Sequence, residues 1–238
     1  MVRFIKIILS LFIVLNSNKF LFSAEVNLTE SEKFVKGLSK KYPQTMTYLK
    51  MHEVSSTLAN KLNKLFTSEI QKLLNNYLSN YDSKAQSILY SMGFDFLTHK
   101  PNIFTHQDFP QYVFKIGPDS LQNAARVWYA NWISMIQNDF KIPQKRIFFM
   151  KSEFPKLSII VVAEKVNFVL FSEILNLEKQ KKLRKMQKIT GYYDAHGGNV
   201  SPKYIVDTEI IREPKITKLF LNDPFKIYED PINLRSKL

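Results

Sequence analysis

The spacing of the hydrophobic residues changes near residue 100, and this change constrains the fold more than any other feature. From Thr29 to about Met92, apolar residues recur at helical spacing, and Thr29 followed by Glu32 forms a capping-box pattern. Beyond Lys100, short apolar runs bounded by turn residues replace that spacing. The sequence therefore predicts an α+β protein, with a helical N-terminal region over residues 25–100 and a second region over 101–238.

The second region alternates predicted strands and helices in a definite order. A strand at Tyr112–Ile116 ends at a Gly-Pro pair, and a helix capped by Asp119 or Ser120 follows, with Trp128 and Trp132 on its core side. The remaining predicted elements are two strands, a helical stretch, a polar loop and a last strand: Arg146–Met150, Leu157–Ala163, Val169–Ile189, Gly191–Asn199 and Tyr204–Val206.

Residues 1–24 are predicted to be a signal peptide. Arg3 and Lys6 precede the apolar run Ile7–Leu15, and Ala24 is a small residue suited to cleavage. The apolar run is too short to cross a bilayer, and no longer run follows it. We therefore expect an exported protein, either periplasmic or secreted. The absence of cysteine in an exported chain favours a bacterial source.

The composition excludes several chemical classes. The chain has no cysteine, which removes disulfide scaffolds, thiolate-bound zinc, iron–sulfur clusters and cysteine nucleophiles. Its four histidines are scattered, and its six glycines form none of the glycine-rich phosphate motifs of the Walker or Rossmann kind. Any nucleotide site must therefore use other groups.

One set of residues could carry chemistry. Asp194 and Asn199 lie on the polar loop, and Asp207 follows a short apolar run. Phosphoryl transfer needs a carboxylate near the acceptor hydroxyl, and amide and carboxylate oxygens that hold Mg²⁺. The alternative is structural: Gly197 and Gly198 could form a plain turn, and Lys115 could be a charge at the edge of a strand.

The chain resembles the protein-kinase-like superfamily, and within it the aminoglycoside-phosphotransferase-like bacterial branch. The residues that match are Tyr193–Val200 for the catalytic loop, Val206–Glu209 in place of Asp-Phe-Gly, Val113–Lys115 for the end of the third strand, and Leu157–Val166 for the fifth strand and hinge. The resemblance implies a small antiparallel sheet lobe and a helical lobe within residues 101–238, the latter shortened because few residues follow Glu209.

The resemblance also implies roles for individual residues. Asp194 would be the catalytic base, with Asn199 beside it. Asn199 and Asp207 would bind magnesium, and Lys115 would pair with the phosphates of ATP. The stretch from Glu164 to Val166 would face the adenine.

Two departures from the family pattern support a second hypothesis. No glycine-rich loop precedes Lys115, and the helix after Asp119 has no acid before Asp139, so Gln122 or Asn123 would have to take the place of the usual glutamate. The alternative is therefore a catalytically inactive kinase-fold module, a pseudokinase or secreted effector, that binds a partner.

The net charge of +13 predicts an attraction to anionic partners. The lysine-rich run over residues 179–185 is interpreted as a solvated helix face. A protein partner or an acidic surface could bind this basic face, whereas the lack of interleaved aromatic residues argues against nucleic acid. We also expect the N-terminal helices to pack onto the helices between Val169 and Ile189.

Overall fold

The computed structural model describes residues 28–97, 100–117, 120–166, 175–192, 195, 198–208, 218 and 220–225. It confirms the helices of the N-terminal region. These are α1 (Glu30–Lys41), α2 (Pro43–Met51), α3 (Ser56–Leu65), α4 (Ser68–Asn80) and α5 (Ser83–Ser91). The predicted capping box is present, since the Thr29 N–H donates to Glu32 Oε2 at 3.0 Å and the Glu32 N–H donates to Thr29 Oγ1 at 3.3 Å.

A five-stranded antiparallel sheet follows these helices, so the predicted α+β class is confirmed. The strands are β1 (Phe94–Leu97), β2 (Lys100–His106), β3 (Tyr112–Lys115), β4 (Lys145–Phe149) and β5 (Ile159–Glu164). Along the sheet they stand in the order β1-β2-β3-β5-β4. Helix α6 (Ser120–Ile136) connects β3 to β4, and helix α7 (Leu177–Thr190) comes after the sheet.

Several element boundaries differ from the sequence prediction. Strands β1 and β2 were not predicted, and β1 lies inside the region expected to be helical. Strand β5 begins two residues late because Pro155–Leu157 forms a 3-10 turn. Helix α7 begins at Leu177 because the Asn176 side chain caps it, and residues 167–174 lie outside the described part. Tyr204 and Ile205 form isolated bridges instead of a strand.

One face of the sheet is covered by α3, α4 and α5. Phe66, at the end of α3, lies with its ring centroid 5.9 Å from that of Phe148 and 6.2 Å from that of Phe114. Alternation along the strands directs a set of aromatic and aliphatic side chains to this face. Its buried members include Phe94, Phe96, Phe104, Phe114, Phe148, Ile160 and Val162.

The opposite face packs against α6. Trp128 is fully buried there, and its indole N–H donates to the carbonyl of Pro224 at 3.0 Å. Trp132 is also buried, as predicted. Residues from several elements complete this second core: Leu38 and Met46 from α1 and α2, Ile147 and Val161 from the sheet, Leu183 and Met186 from α7, and Phe220.

The N-terminal helices therefore pack differently from the expectation. Helices α3–α5 cover the sheet, where they bury its phenylalanine face, and only α1 and α2 share a core with α7. Apolar strand side chains need a cover on both faces, and α6 can supply only one. No helix within the described ranges is long and apolar enough to cross a membrane.

Candidate functional site

Lys115 and Asp207 meet on the α6 face of the sheet. Phe114 points toward α3–α5, so alternation places its neighbour Lys115 on the other face. The Lys115 ammonium donates to both carboxylate oxygens of Asp207, at 3.0 Å each. The two residues are 92 positions apart in the chain, and only 13% and 12% of their side chains are exposed. The resulting ion pair is largely withdrawn from water.

Two further cations lie near this carboxylate. Lys145, on β4, is buried and donates to the hydroxyl of Thr208 at 2.7 Å. Arg126, on α6, is also buried, and donates to Asn123 Oδ1 at 3.2 Å. Burial alone would raise the pKa of Asp207, but attraction to Lys115, Lys145 and Arg126 lowers it to about 2. Three cations thus surround one carboxylate, which favours the binding of anions at this site.

A short hairpin connects Asn199 to the segment that holds Asp207. The backbone carbonyl of Asn199 accepts a hydrogen bond from the Val206 N–H at 2.9 Å, and the Ser201 N–H donates to the Tyr204 carbonyl at 2.9 Å. The Asn199 side chain is buried, with 2% of the residue exposed. The short hairpin thus returns the chain beside itself. Asp194 lies outside the described residues, so its role stays a prediction.

An apolar strip connects Lys115 to the predicted hinge. Val113 stands on the same face as Lys115, and it pairs across the sheet with Ala163. Both residues are only half buried, unlike the fully covered residues on the phenylalanine face. A planar heterocycle could stack against such a strip.

The hinge residues lie at the end of this strip. The backbone N–H of Glu164 donates to Gln144, and that of Lys165 donates to Gln111. An adenine would therefore have to bind through other hinge atoms. Glu164 and Val166 also line a cavity of about 430 Å³ with the loop after α6 and Tyr204.

Asn123 holds α6 against the sheet. Its amide donates to the Ile159 carbonyl at 2.9 Å, and its oxygen accepts from Arg126. The acid that pairs with Lys115 is Asp207, not a residue of α6. The side chain of Gln122, the other predicted substitute, lies outside the described part.

Sequence reasoning missed Lys145, Arg126 and Thr208. Arg126 carried a usable signal, because it interrupts an otherwise apolar stretch of α6 that runs through Ala124 and Val127. A cation in such a stretch indicates a buried partner. Lys145 precedes the predicted strand at Arg146 and carried no comparable signal.

Asp207 and Asn199 alone offer too few ligands for a magnesium ion. Magnesium is commonly held by one or two carboxylates together with phosphate groups. Within the described ranges, no group of three or more histidine, aspartate or glutamate side chains could hold a metal ion without such help. A metal ion at this site would therefore need further ligands that the described residues do not supply.

Comparisons with family models, with curated proteins and with solved structures find no match to this chain. Function must therefore be inferred from the geometry of the site.

Proposed function

We propose that this protein is an exported, kinase-like phosphotransferase that uses ATP and magnesium. The observation that carries the proposal is the contact between Lys115 and Asp207. The family resemblance makes these residues the phosphate-pairing lysine and a metal ligand, which act on the same nucleotide and must lie close together. The two residues are 92 positions apart, so their position in the chain does not by itself bring them together.

The order of the elements supports the same proposal. Lys115 ends β3, and α6 follows it before β4 and β5 complete an antiparallel sheet. Next come the hinge residues, α7, and the hairpin that holds Asn199 and Asp207. This sequence of elements is what a kinase-like small lobe, hinge and catalytic segment require.

The proposed roles divide the site among its residues. Lys115 would hold phosphate oxygens, while Asp207 and Asn199 would hold the metal ion. Val113 and Ala163 would contact the adenine, and Asp194 would orient the acceptor hydroxyl. ATP with magnesium supplies the phosphoryl group and the charge neutralisation that its transfer needs.

In the described arrangement, Lys115 and Asp207 neutralise each other. Lys115 must exchange the Asp207 carboxylate for phosphate oxygens before Asp207 can bind a metal. This exchange replaces one charge-assisted contact of Lys115 with another of similar strength.

A second candidate is an inactive module that binds nucleotide phosphates without metal. The observation that favours it is the number of cations around Asp207. Lys115, Lys145 and Arg126 all lower its pKa, and the same positive potential opposes a divalent cation. Phosphate oxygens, in contrast, would be attracted.

Thermal unfolding with ATP, with and without Mg²⁺, distinguishes the two candidates. ATP at about 100 times its Kd should stabilise the protein by roughly 2.7 kcal/mol. A phosphotransferase should need Mg²⁺ for full stabilisation and should release labelled phosphate or label itself with γ-labelled ATP. A metal-independent shift without transfer would support the inactive module, and no shift under either condition would contradict both.

Lys115→Met should abolish the shift in either case, because both candidates use its charge. Lys64→Met is the matched control, since Lys64 is exposed on α3, which packs on the other face of the sheet.

A further inference from the structure

A groove of about 550 Å³ runs between helices α1 and α2 and the end of strand β4. Its floor contains apolar side chains: Val35 and Met46 from the two helices, and Phe149 and Met150 from the strand and the residue after it. Val35 and Phe149 are only half buried. The groove therefore offers apolar surface that the fold leaves partly uncovered.

Four exposed lysines surround this floor. Lys36 and Lys40 come from α1, Lys50 from α2, and Lys151 from the segment after β4. Glu32 is the one acid in the lining, and it pairs with Lys151 at 3.0 Å. That hydrogen-bonded pair lowers the pKa of Glu32. The other three lysines give the rim a net positive charge.

Strand β4 is an edge strand, and its edge is covered only in part. The Ile147 N–H donates to the His52 carbonyl, and the Val54 N–H donates to the Ile147 carbonyl, both at 2.9 Å. Farther along, the Ser31 N–H donates to the Ser152 carbonyl at 2.9 Å. The cover thus consists of two separate contacts with a gap between them.

Phe149 lies in that gap. Backbone groups along a strand point alternately to its two sides, so Phe149 directs its N–H and C=O the same way as Ile147, away from β5. The Met150 N–H, in contrast, donates back across the sheet to Ser158 at 3.1 Å. Among the described residues, no hydrogen-bond partner is found for the outward backbone groups of Phe149.

We propose that this groove binds an extended acidic segment of a partner protein, which adds a short strand to the edge of β4 at Phe149. Main-chain hydrogen bonds to an exposed edge supply affinity in such complexes, and alternate side chains supply specificity. Apolar side chains of the segment would face the floor, and its carboxylates would reach Lys36, Lys40 and Lys50. This binding site is separate from the Lys115 site and goes beyond the proposed enzymatic function.

The edge favours a peptide over other anions. A lipid headgroup or a nucleic acid could use the lysines, but neither presents the alternating N–H and C=O groups that match a strand edge. The test therefore has to separate attraction by charge from pairing with the backbone.

The probe is a fluorescein-labelled octapeptide of alternating glutamate and valine, and binding to the full chain is followed by fluorescence anisotropy. The variant Lys36→Gln, Lys40→Gln, Lys50→Gln should weaken binding by about tenfold or more. The control variant Lys61→Gln, Lys64→Gln, Lys181→Gln removes the same charge from exposed positions elsewhere, and should change the Kd by less than about threefold. Circular dichroism checks that both variants fold.

Two sets of N-methylated peptides test the backbone pairing. Methylation of every second residue in one register should abolish binding, whereas methylation in the other register should leave most of it, since only one set of N–H groups faces the edge. The proposal would be overturned if the two methylated sets bound equally well, or if the control variant weakened binding as much as the groove variant does. It would also be overturned if an oligothymidine displaced the labelled peptide as effectively as the unlabelled peptide does.

Discussion

The Lys145 ammonium donates to Thr208 Oγ1 at 2.7 Å, and this bond ties the edge strand β4 to the residue directly after Asp207. Both residues are buried, with 6% of Lys145 and none of Thr208 exposed. A buried ammonium is costly unless polar groups surround it. The bond therefore fixes the position of the segment that holds Asp207 relative to the sheet that holds Lys115.

Thr208→Val should destabilise the protein by about 1–3 kcal/mol, because it removes a hydroxyl acceptor from a buried charge while preserving side-chain shape. Chemical denaturation with urea measures the change. Thr57→Val is the control, since Thr57 is exposed at the start of α3, and it should stay within about 0.5 kcal/mol of the parent. A Thr208→Val variant as stable as the parent would show that the bond does not support the fold.

The Lys115–Asp207 pair should show strong coupling in a double-mutant cycle. Asp207→Asn should cost about 3–5 kcal/mol, because it leaves Lys115, Lys145 and Arg126 without their shared carboxylate. Lys115→Met should be destabilising too, while Lys115→Met combined with Asp207→Asn should cost less than the sum of the two. Additive losses would instead show that the two side chains act independently.

Stability should also depend on pH through Asp207. Its pKa is about 2 in the folded protein and 3.8 when unperturbed, so the unfolded chain takes up the proton first as the pH falls. The contribution is fully present above about pH 5 and is lost progressively between about pH 5 and pH 1, with a total of about 2 kcal/mol. Urea titrations across this range measure it. Asp207→Asn should flatten the dependence, whereas Asp108→Asn, at an exposed site, should not.

The sequence predicted the helices and three of the five strands because their hydrophobic spacing is local information. It missed β1 and β2, and the four-residue strand β1, Phe94–Leu97, follows α5 almost directly. Lys115, Asn199 and Asp207 were proposed as site residues from their order along the chain and from the family resemblance, and their roles stay predictions. Lys145 was missed because a cation at the start of a strand has the same local pattern whether it faces water or a buried carboxylate. Arg126 carried a signal, since it interrupts an apolar stretch of α6, but nothing in the sequence identifies Asp207 as its neighbour.

The surface on which the N-terminal helices pack could also not be predicted from the sequence. An amphipathic helix shows which of its own faces is apolar, but the choice between two apolar surfaces depends on their shapes. Here the ring of Phe66 fits the phenylalanine face of the sheet. It contacts four phenylalanines there, which are Phe94, Phe104, Phe114 and Phe148.

Asp194→Ala tests the catalytic part of the proposed function. A residue that orients the acceptor hydroxyl acts chiefly in the transition state, so its loss should lower turnover while the stabilisation by ATP and Mg²⁺ remains. Thermal unfolding and release of labelled phosphate measure the two effects separately. Equal loss of binding and turnover would make Asp194 a structural residue or a metal ligand.

Deleting residues 25–92 should yield insoluble or molten material. The deletion removes α3–α5 and leaves the phenylalanine face of the sheet in water, at a cost of about 25 cal/mol for each Å² of apolar surface exposed. It also removes the α1 and α2 residues from the core that α6 and α7 share. Gel filtration and near-ultraviolet circular dichroism distinguish a folded fragment from a molten one.

A point variant keeps this last prediction testable if the deletion cannot be purified. Phe66→Ala opens the same interface at its centre and should cost about 3–5 kcal/mol, whereas Ile88→Ala, at a largely exposed site on α5, should cost far less. A soluble 93–238 fragment that binds ATP would show that the sheet needs no cover. Helices α3–α5 would then be an independent arm, and their apolar residues would be available to a partner.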